Sequence, residues 1–261
     1  KQLLLEETPW VLESASEEEQ MQKLARLFDA NTMKNSIESD WKELQQLQNS
    51  DGGFSWYKGY QSSYNNSLYI LKNLGKINAW LKGNTADYQN KEQQEMVSKL
   101  INFVDNEVNK HWDTSASLSA SKENVWNNWT LDYLDSRRYW EKEFPLKGNG
   151  KTLKDLVIKR SATAKLTDFT FYGLHRVALL FDSYGEKTLS KKLLTYLKET
   201  STDTETQGVY WKQNLNDWGW YTSKTVNHAG AIEAFQQLSP NDVNFVEEMK
   251  IWLITQKEVN S

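Results

Sequence analysis

The sequence predicts an all-α protein, a curved or closed array of helix pairs, and three observations carry that expectation. Apolar residues recur at helical spacing along most of the 261 residues, as amphipathic helices require. Helical stretches are closed by glycine–aromatic turns, of which Asp51-Gly52-Gly53-Phe54-Ser55-Trp56 is the sharpest. The alternation of a half-buried strand is almost missing. Repeated helix pairs bury one face only against their neighbours, and that favours a curved or closed array.

Taken in order, residues 1–15, with Pro9 and Trp10, read as an extended lead-in. Ser16 with Glu19 makes a capping-box pattern. It opens a helix to about Met33 that buries Met21, Leu24, Leu27 and Phe28. A second helix covers about 36–48, where Ile37, Trp41, Leu44 and Gln48 share a face, and Asp-Gly-Gly stops it because glycine accepts positive φ. Tyr64, Leu68, Leu71 and Leu74 mark a third helix ending near Gly75, with a polar loop at 82–90. Met96, Leu100, Phe103, Val104 and Val108 mark a fourth, before a serine-rich loop at 113–121. Val125, Trp129, Tyr133 and Trp140 stripe a fifth, closed by Pro145 and the Gly148-Asn149-Gly150 turn.

Thr152 with Asp155 is read as a capping box opening a short helix through Leu156 and Val157. The next helix carries Phe169, Tyr172, Gly173, Arg176, Val177 and Leu180 and stops at Ser183-Tyr184-Gly185. Another carries Leu189, Leu193 and Leu197. Residues 201–222 hold no helix, and Tyr210-Trp211 and Trp218-Gly219-Trp220-Tyr221 flank a polar tip as a small hairpin would. Val226, Ala229, Ile232, Glu233 and Leu238 form the penultimate helix. Ser239-Pro240-Asn241-Asp242 is read as the start of the last, which carries Phe245, Met249 and Trp252. The total is about ten helices.

Composition narrows the chemistry. With 31 basic and 35 acidic residues the net charge is −4, so no nucleic-acid partner is expected. No apolar run is long enough to cross a bilayer, so no direct membrane insertion by this segment is expected. There is no cysteine. That removes disulfides, thiol nucleophiles, thiolate metal sites and any internal thioester. His111, His175 and His228 are too far apart in sequence for a helical metal pair, and no metal or other cofactor is expected. Twelve tryptophans and twelve tyrosines are the unusual feature. Such rings pack helices together, and they also line sugar and lipid pockets.

The Asp51-Gly52-Gly53-Phe54-Ser55-Trp56 turn, with Ser63-Tyr64 leading to Tyr69-Ile70-Leu71-Lys72-Asn73-Leu74-Gly75, resembles bacterial alpha-2-macroglobulins of the Bacteroidetes type. Further likenesses are Glu7-Thr8-Pro9-Trp10-Val11-Leu12 with Leu27-Phe28-Asp29, and Tyr172-Gly173-Leu174-His175-Arg176. Gly208-Val209-Tyr210-Trp211, Ile232-Glu233-Ala234-Phe235 and Trp252-Leu253-Ile254-Thr255-Gln256-Lys257 complete them, so the resemblance spans nearly the whole chain. It implies the domain that corresponds to the thioester domain, an α/α toroid of the terpenoid-cyclase type. Residues 1–35 would then be a lead-in segment with the first helix and 36–261 the toroid. It further implies an incomplete ring, because toroids of this type close with six helix pairs and about five are counted, so the chain would be a fragment of a larger protein. Thioester-bearing relatives carry a Cys-(Leu/Gly)-Glu-Gln motif. The nearest match here, Pro9-Trp10-Val11-Leu12-Glu13-Ser14, puts Val11 at the cysteine and Ser14 at the glutamine. The implied function is a non-catalytic structural and interaction domain of a protease trap without a thioester. Its implied partners are β-sandwich domains of the same chain and target proteases, and its implied place is the periplasm or cell surface, on a possibly lipid-anchored parent.

The same fold class also hosts glycoside hydrolases and polysaccharide lyases, so a carbohydrate-binding or carbohydrate-cleaving toroid is the alternative. A glycosidase needs two carboxylates facing one cavity. Asp51, Asp132, Asp135, Asp217 and Glu233 are the candidates by position. A lyase would use a Tyr/His/Arg cluster, and Tyr172, His175 and Arg176 lie within about one helical turn. The aromatics Trp56, Tyr57, Trp211, Trp218, Trp220 and Tyr221 form either a sugar-stacking rim or plugs between helix pairs.

Overall fold

The computed structural model describes residues 30–82, 91–112, 125–216, 218–219 and 222–256. Nine α-helices run through these: α1 (Ala30–Leu47), α2 (Tyr64–Lys82), α3 (Lys91–His111), α4 (Asn128–Arg137), α5 (Gly148–Ser161), α6 (Phe171–Ser183), α7 (Lys187–Glu199), α8 (Lys224–Leu238) and α9 (Val243–Thr255). Two short antiparallel strand pairs lie between α7 and α8. β1 (Thr202–Thr204) pairs with β2 (Gly208–Tyr210), with Asp203 opposite Val209, and β3 (Trp218–Gly219) pairs with β4 (Thr222–Ser223).

Every second helix joins the same layer. α2 packs on α4, α4 on α6 and α6 on α8, which makes an inner row. Each is backed by the helix that follows it, α3, α5, α7 and α9, and α1 lies against α3. This alternation is the helix-pair order of an α/α toroid. Because each outer helix returns the chain, the inner helices run in one direction. Contacts at matching depth agree: Tyr64 at the start of α2 stacks on Trp129 at the start of α4, with centroids 5.3 Å apart. The four inner helices also begin alike. Ser63, Asn127, Thr170 and Ser223 each accept a hydrogen bond from the backbone N–H three residues on. That satisfies a donor with no partner in the first turn. The outer helices α5, α7 and α9 begin without a side-chain cap.

Between the rows lies the core, in which Leu71, Leu100, Val104, Leu134, Leu153, Val177, Leu193 and Leu197 are buried. Burying side chains of this size stabilises by about 1.5–3 kcal/mol each relative to exposure. Buried tryptophans act as plugs with a polar handle. The indole of Trp140 donates to the Leu71 carbonyl at 3.0 Å, and that of Trp211 to the Leu197 carbonyl at 2.8 Å. A bidentate pair from Arg137 to Asp105, at 2.8 and 3.1 Å, ties α4 to α3, and the Tyr133 hydroxyl donates to the same carboxylate.

The glycine turn at 51–53 sits where the sequence places it, with Gly52 at φ +89° and no room for a Cβ, which would fall 2.4 Å from the Lys99 carbonyl oxygen. Several other elements differ from expectation. No break separates 33 from 36, since α1 is continuous over Ala30–Leu47, a stretch without Gly or Pro. α2 does not end at Gly75 but continues to Lys82. There glycine is a packing device: a Cβ at Gly75 would lie 2.5 Å from Tyr139 Cβ. The fifth expected helix is short, and Val125 and Trp140 lie outside α4. Gly148-Asn149-Gly150 opens α5 instead of ending a region, and Gly150 admits Tyr133, whose hydroxyl a Cβ there would strike at 2.2 Å. Thr152 therefore caps nothing, and its hydroxyl donates back to the Gly148 carbonyl.

The strands also pair differently. Tyr210 lies opposite Thr202, not across a tip at 212–217, and Lys212–Asn214 is a single 3₁₀ turn. β2 packs closely on α9, where a Cβ at Gly208 would fall 2.2 Å from the Glu248 carbonyl oxygen. Ser239 and Pro240 belong to a turn before α9, whose own cap position is Asp242. The expected lead-in, the Ser16 helix, the Pro9–Ser14 stretch and the loops at 83–90 and 113–121 lie outside the described residues, apart from Ala30–Met33 at the start of α1.

Gly75→Ala is expected to destabilise the protein by about 1–3 kcal/mol through overpacking against Tyr139, although the same change in an open helix would stabilise it. Urea unfolding should show a lower midpoint at unchanged slope, and a raised midpoint would contradict this close packing.

Candidate functional site

Side chains from all four inner helices meet in one charged network. Asp135 on α4 is its hub, almost fully buried. Lys72 from α2 reaches its carboxylate at 2.5 Å, Arg138 just beyond α4 at 2.7 Å, and Arg176 from α6 at 3.7 Å. Arg176 also donates to Asp132 and lies over the Tyr172 ring at 4.4 Å. Lys76, one turn beyond Lys72, pairs with Glu233 of α8 at 2.5 Å, joining the first and last inner helices. Arg138 further donates to the Tyr139 hydroxyl at 2.6 Å. Four cations thus face three carboxylates.

Burial alone would raise the Asp135 pKa. The Lys72 ammonium, then the Arg138 and Arg176 guanidiniums, outweigh that and hold the carboxyl well below the usual range. For Lys72 burial wins over Asp135, and its pKa is lowered. Tyr172 is pushed up to about 12, by burial above all.

His175 takes no part in this pairing. It is buried against α8, where a Cβ at Gly230 would lie 2.4 Å from its Cε1. Burial first, then the nearby positive charge of Arg176 and Lys72, lowers its pKa to about 3. Tyr172, His175 and Arg176 thus sit on one helix but face different surroundings: Arg176 is committed to α4 and His175 to Gly230.

The other sequence candidates scatter. Asp51 is a turn acid that accepts from the Gly53 N–H at 3.0 Å and the Ser62 hydroxyl at 2.7 Å. Trp211 is a buried plug in contact with Phe171 and His228. Trp56 and Tyr57, in contrast, are exposed. Trp218 lies in β3, while Asp217, Trp220 and Tyr221 lie outside the described residues. Lys72, Lys76, Arg138 and Tyr139 escaped sequence reasoning. The one available signal was a pair of lysines, Lys72 and Lys76, four apart on one face of α2.

Among the described residues no three His, Cys, Asp or Glu side chains are grouped to hold a metal ion. No described helix is long and apolar enough to cross a membrane. The chain matches no protein-family model, and no curated protein matches it either.

Asp135→Ala is expected to cost about 3–5 kcal/mol in chemical unfolding, because it strands buried cations on three helices. A loss under about 1 kcal/mol would remove Asp135 as the hub.

Acid should act in two steps. His175 at about 3 and His228 at about 4 both lie below the ordinary value of 6.5. Below 6.5 the unfolded chain takes up protons that the folded chain refuses, so each histidine should lower stability by up to about 1.4 kcal/mol per pH unit as pH falls from about 6.5 toward its folded value. Asp135, whose folded pKa is depressed, contributes stability that is present above about 3.9 and lost as pH falls through its folded pKa. Unfolding midpoints should fall with pH through both ranges, and measuring them from about pH 7 down to about pH 2 checks this.

Proposed function

We propose that this chain is a non-catalytic structural and interaction domain of a bacterial alpha-2-macroglobulin-like protease trap that works without a thioester. The carrying observation is the inner face. Where a toroid hydrolase needs two free carboxylates over an open cavity, Asp132, Asp135 and Glu233 are each paired with a cation. The imidazole that a lyase would need is buried and held neutral. Such a network holds helices in place. The lack of cysteine fits a trap that retains its target by enclosure. The likeness at the Gly-Gly-Phe turn, the Tyr172–Arg176 segment and the Trp252–Lys257 segment supplies the family.

In this reading the domain packs against β-sandwich domains of its parent at the periplasmic or outer surface of the cell. It moves as a unit when a bait segment elsewhere is cut, so its interfaces carry the response.

The test uses the intact parent protein with a broad-specificity protease below equimolar amount. One or two clean cuts, loss of activity on a protein substrate, retained activity on a small peptide and no covalent adduct are expected. Unrestricted digestion with both activities intact would defeat the proposal.

A further inference from the structure

The ends at which the inner helices begin carry an exposed aromatic group that the ion network does not use. In the turn that leads into α2, Trp56 is 59% exposed, Tyr57 73% and Tyr60 69%. Tyr69, on the face of α2 that also carries Lys72 and Lys76, is 68% exposed. The backbone that carries these rings is tied down. Asn49 donates to the Tyr60 carbonyl at 3.0 Å and Asn66 to the Ser55 carbonyl at 2.7 Å. The Ser55 hydroxyl donates to the Tyr57 carbonyl at 2.6 Å, and the Tyr60 N–H to the same carbonyl at 3.1 Å. Gly59, at φ +87°, makes the turn between the two tyrosines, whose ring centroids are 6.0 Å apart. The backbone is already ordered, so a ligand meets the rings without a backbone ordering cost.

Two features say what meets them. Lys58 is the sole charged residue from Gly52 to Leu71, in a chain where 25% of residues are charged. A polyanion would call for several cations there and an acidic or basic protein surface for complementary charge. The turn instead offers aromatic faces beside hydroxyls and amides. The second feature is area. At these exposures the three turn aromatics present roughly 300–500 Å², taking about 150–250 Å² for each whole ring. That is about half of what one partner contributes to a stable protein pair, roughly 800 Å², and enough for a few sugar rings.

We infer that the Trp56-Tyr57-Lys58-Gly59-Tyr60 turn is a binding platform for a neutral polysaccharide, whose apolar ring faces stack on Trp56 and Tyr57 while its hydroxyls meet the flanking amides. This does not rest on the trap reading, and its failure would leave the protease experiment untouched.

Native electrophoresis of the whole chain in gels containing barley mixed-linkage glucan, xylan or galactomannan tests it, with alginate as the anionic comparison. At least one neutral polymer should retard the wild-type chain and quench its tryptophan fluorescence. Trp56→Ala and Tyr57→Ala should each weaken retardation by about tenfold or more. Ile254→Ala, at an exposed site on outer helix α9, should leave it unchanged. The substituted side chains are exposed, so the thermal midpoints should match wild type and separate lost binding from lost folding. No retardation by any neutral polymer, retardation by alginate alone, or equal retardation of the Trp56 and Tyr57 variants would overturn the assignment. So would flotation of the chain with phosphatidylcholine–phosphatidylglycerol vesicles in the absence of glycan binding, which would assign the turn to a membrane surface.

Discussion

Asp135 is the point on which the inner row depends. Its carboxylate meets Lys72 of α2, Arg138 at the end of α4 and Arg176 of α6, three cations from three stretches of the chain. None of these charges can be buried alone, since leaving an ion in a poorly solvated interior without a partner costs several kcal/mol. The helices are therefore placed relative to one another by charge as well as by apolar packing. Apolar packing tolerates small shifts at small cost, whereas a carboxylate shared among three cations accepts few arrangements. The Lys76–Glu233 pair extends the constraint to α8, so every inner helix is held by at least one ion pair.

The outer layer follows different rules. α3 is tied to α4 by Arg137, Asp105 and Tyr133, and α9 is fitted against the backbone of Gly208. Here the devices are close approach to a backbone and one bidentate ion pair shared with a tyrosine hydroxyl. Trp140 and Trp211 illustrate the economy: each fills a gap between helices with a large apolar body while its indole N–H meets a carbonyl, that of Leu71 within α2 and that of Leu197 near the end of α7. The aromatic richness of the composition thus has two origins. Part of it is plugs, and part is the exposed group at Trp56, Tyr57 and Tyr60, which contributes little to the core.

A network this deep also explains why a cluster such as Tyr172, His175 and Arg176 can look catalytic in sequence. Residues three or four apart share a helix face, but a face of an inner helix borders two neighbours at once. Arg176 turns to α4 and His175 to α8. Proximity on one helix therefore says nothing about convergence on a substrate.

Sequence by itself determined the helical class, the helices with strong apolar stripes, α3, α6, α7 and α9, and the glycine stops at 52 and 185, because periodicity and positive φ are local properties. It also determined that no thiol chemistry exists here. The roles of Gly75, Gly150 and Gly208 were decided only in the tertiary structure: a glycine that ends a helix and one that admits a neighbouring side chain or backbone read alike in one dimension. The caps of the inner helices were missed for a related reason, since Ser, Thr and Asn are common and nothing local marks which of them a packed row will use. The pairing of Lys72 with Asp135 and of Lys76 with Glu233 spans many residues of chain, and no short-range pattern specifies it. Which aromatics are plugs and which are presented to solvent was likewise a matter of burial, and burial belongs to the assembled helices, not to the residue type.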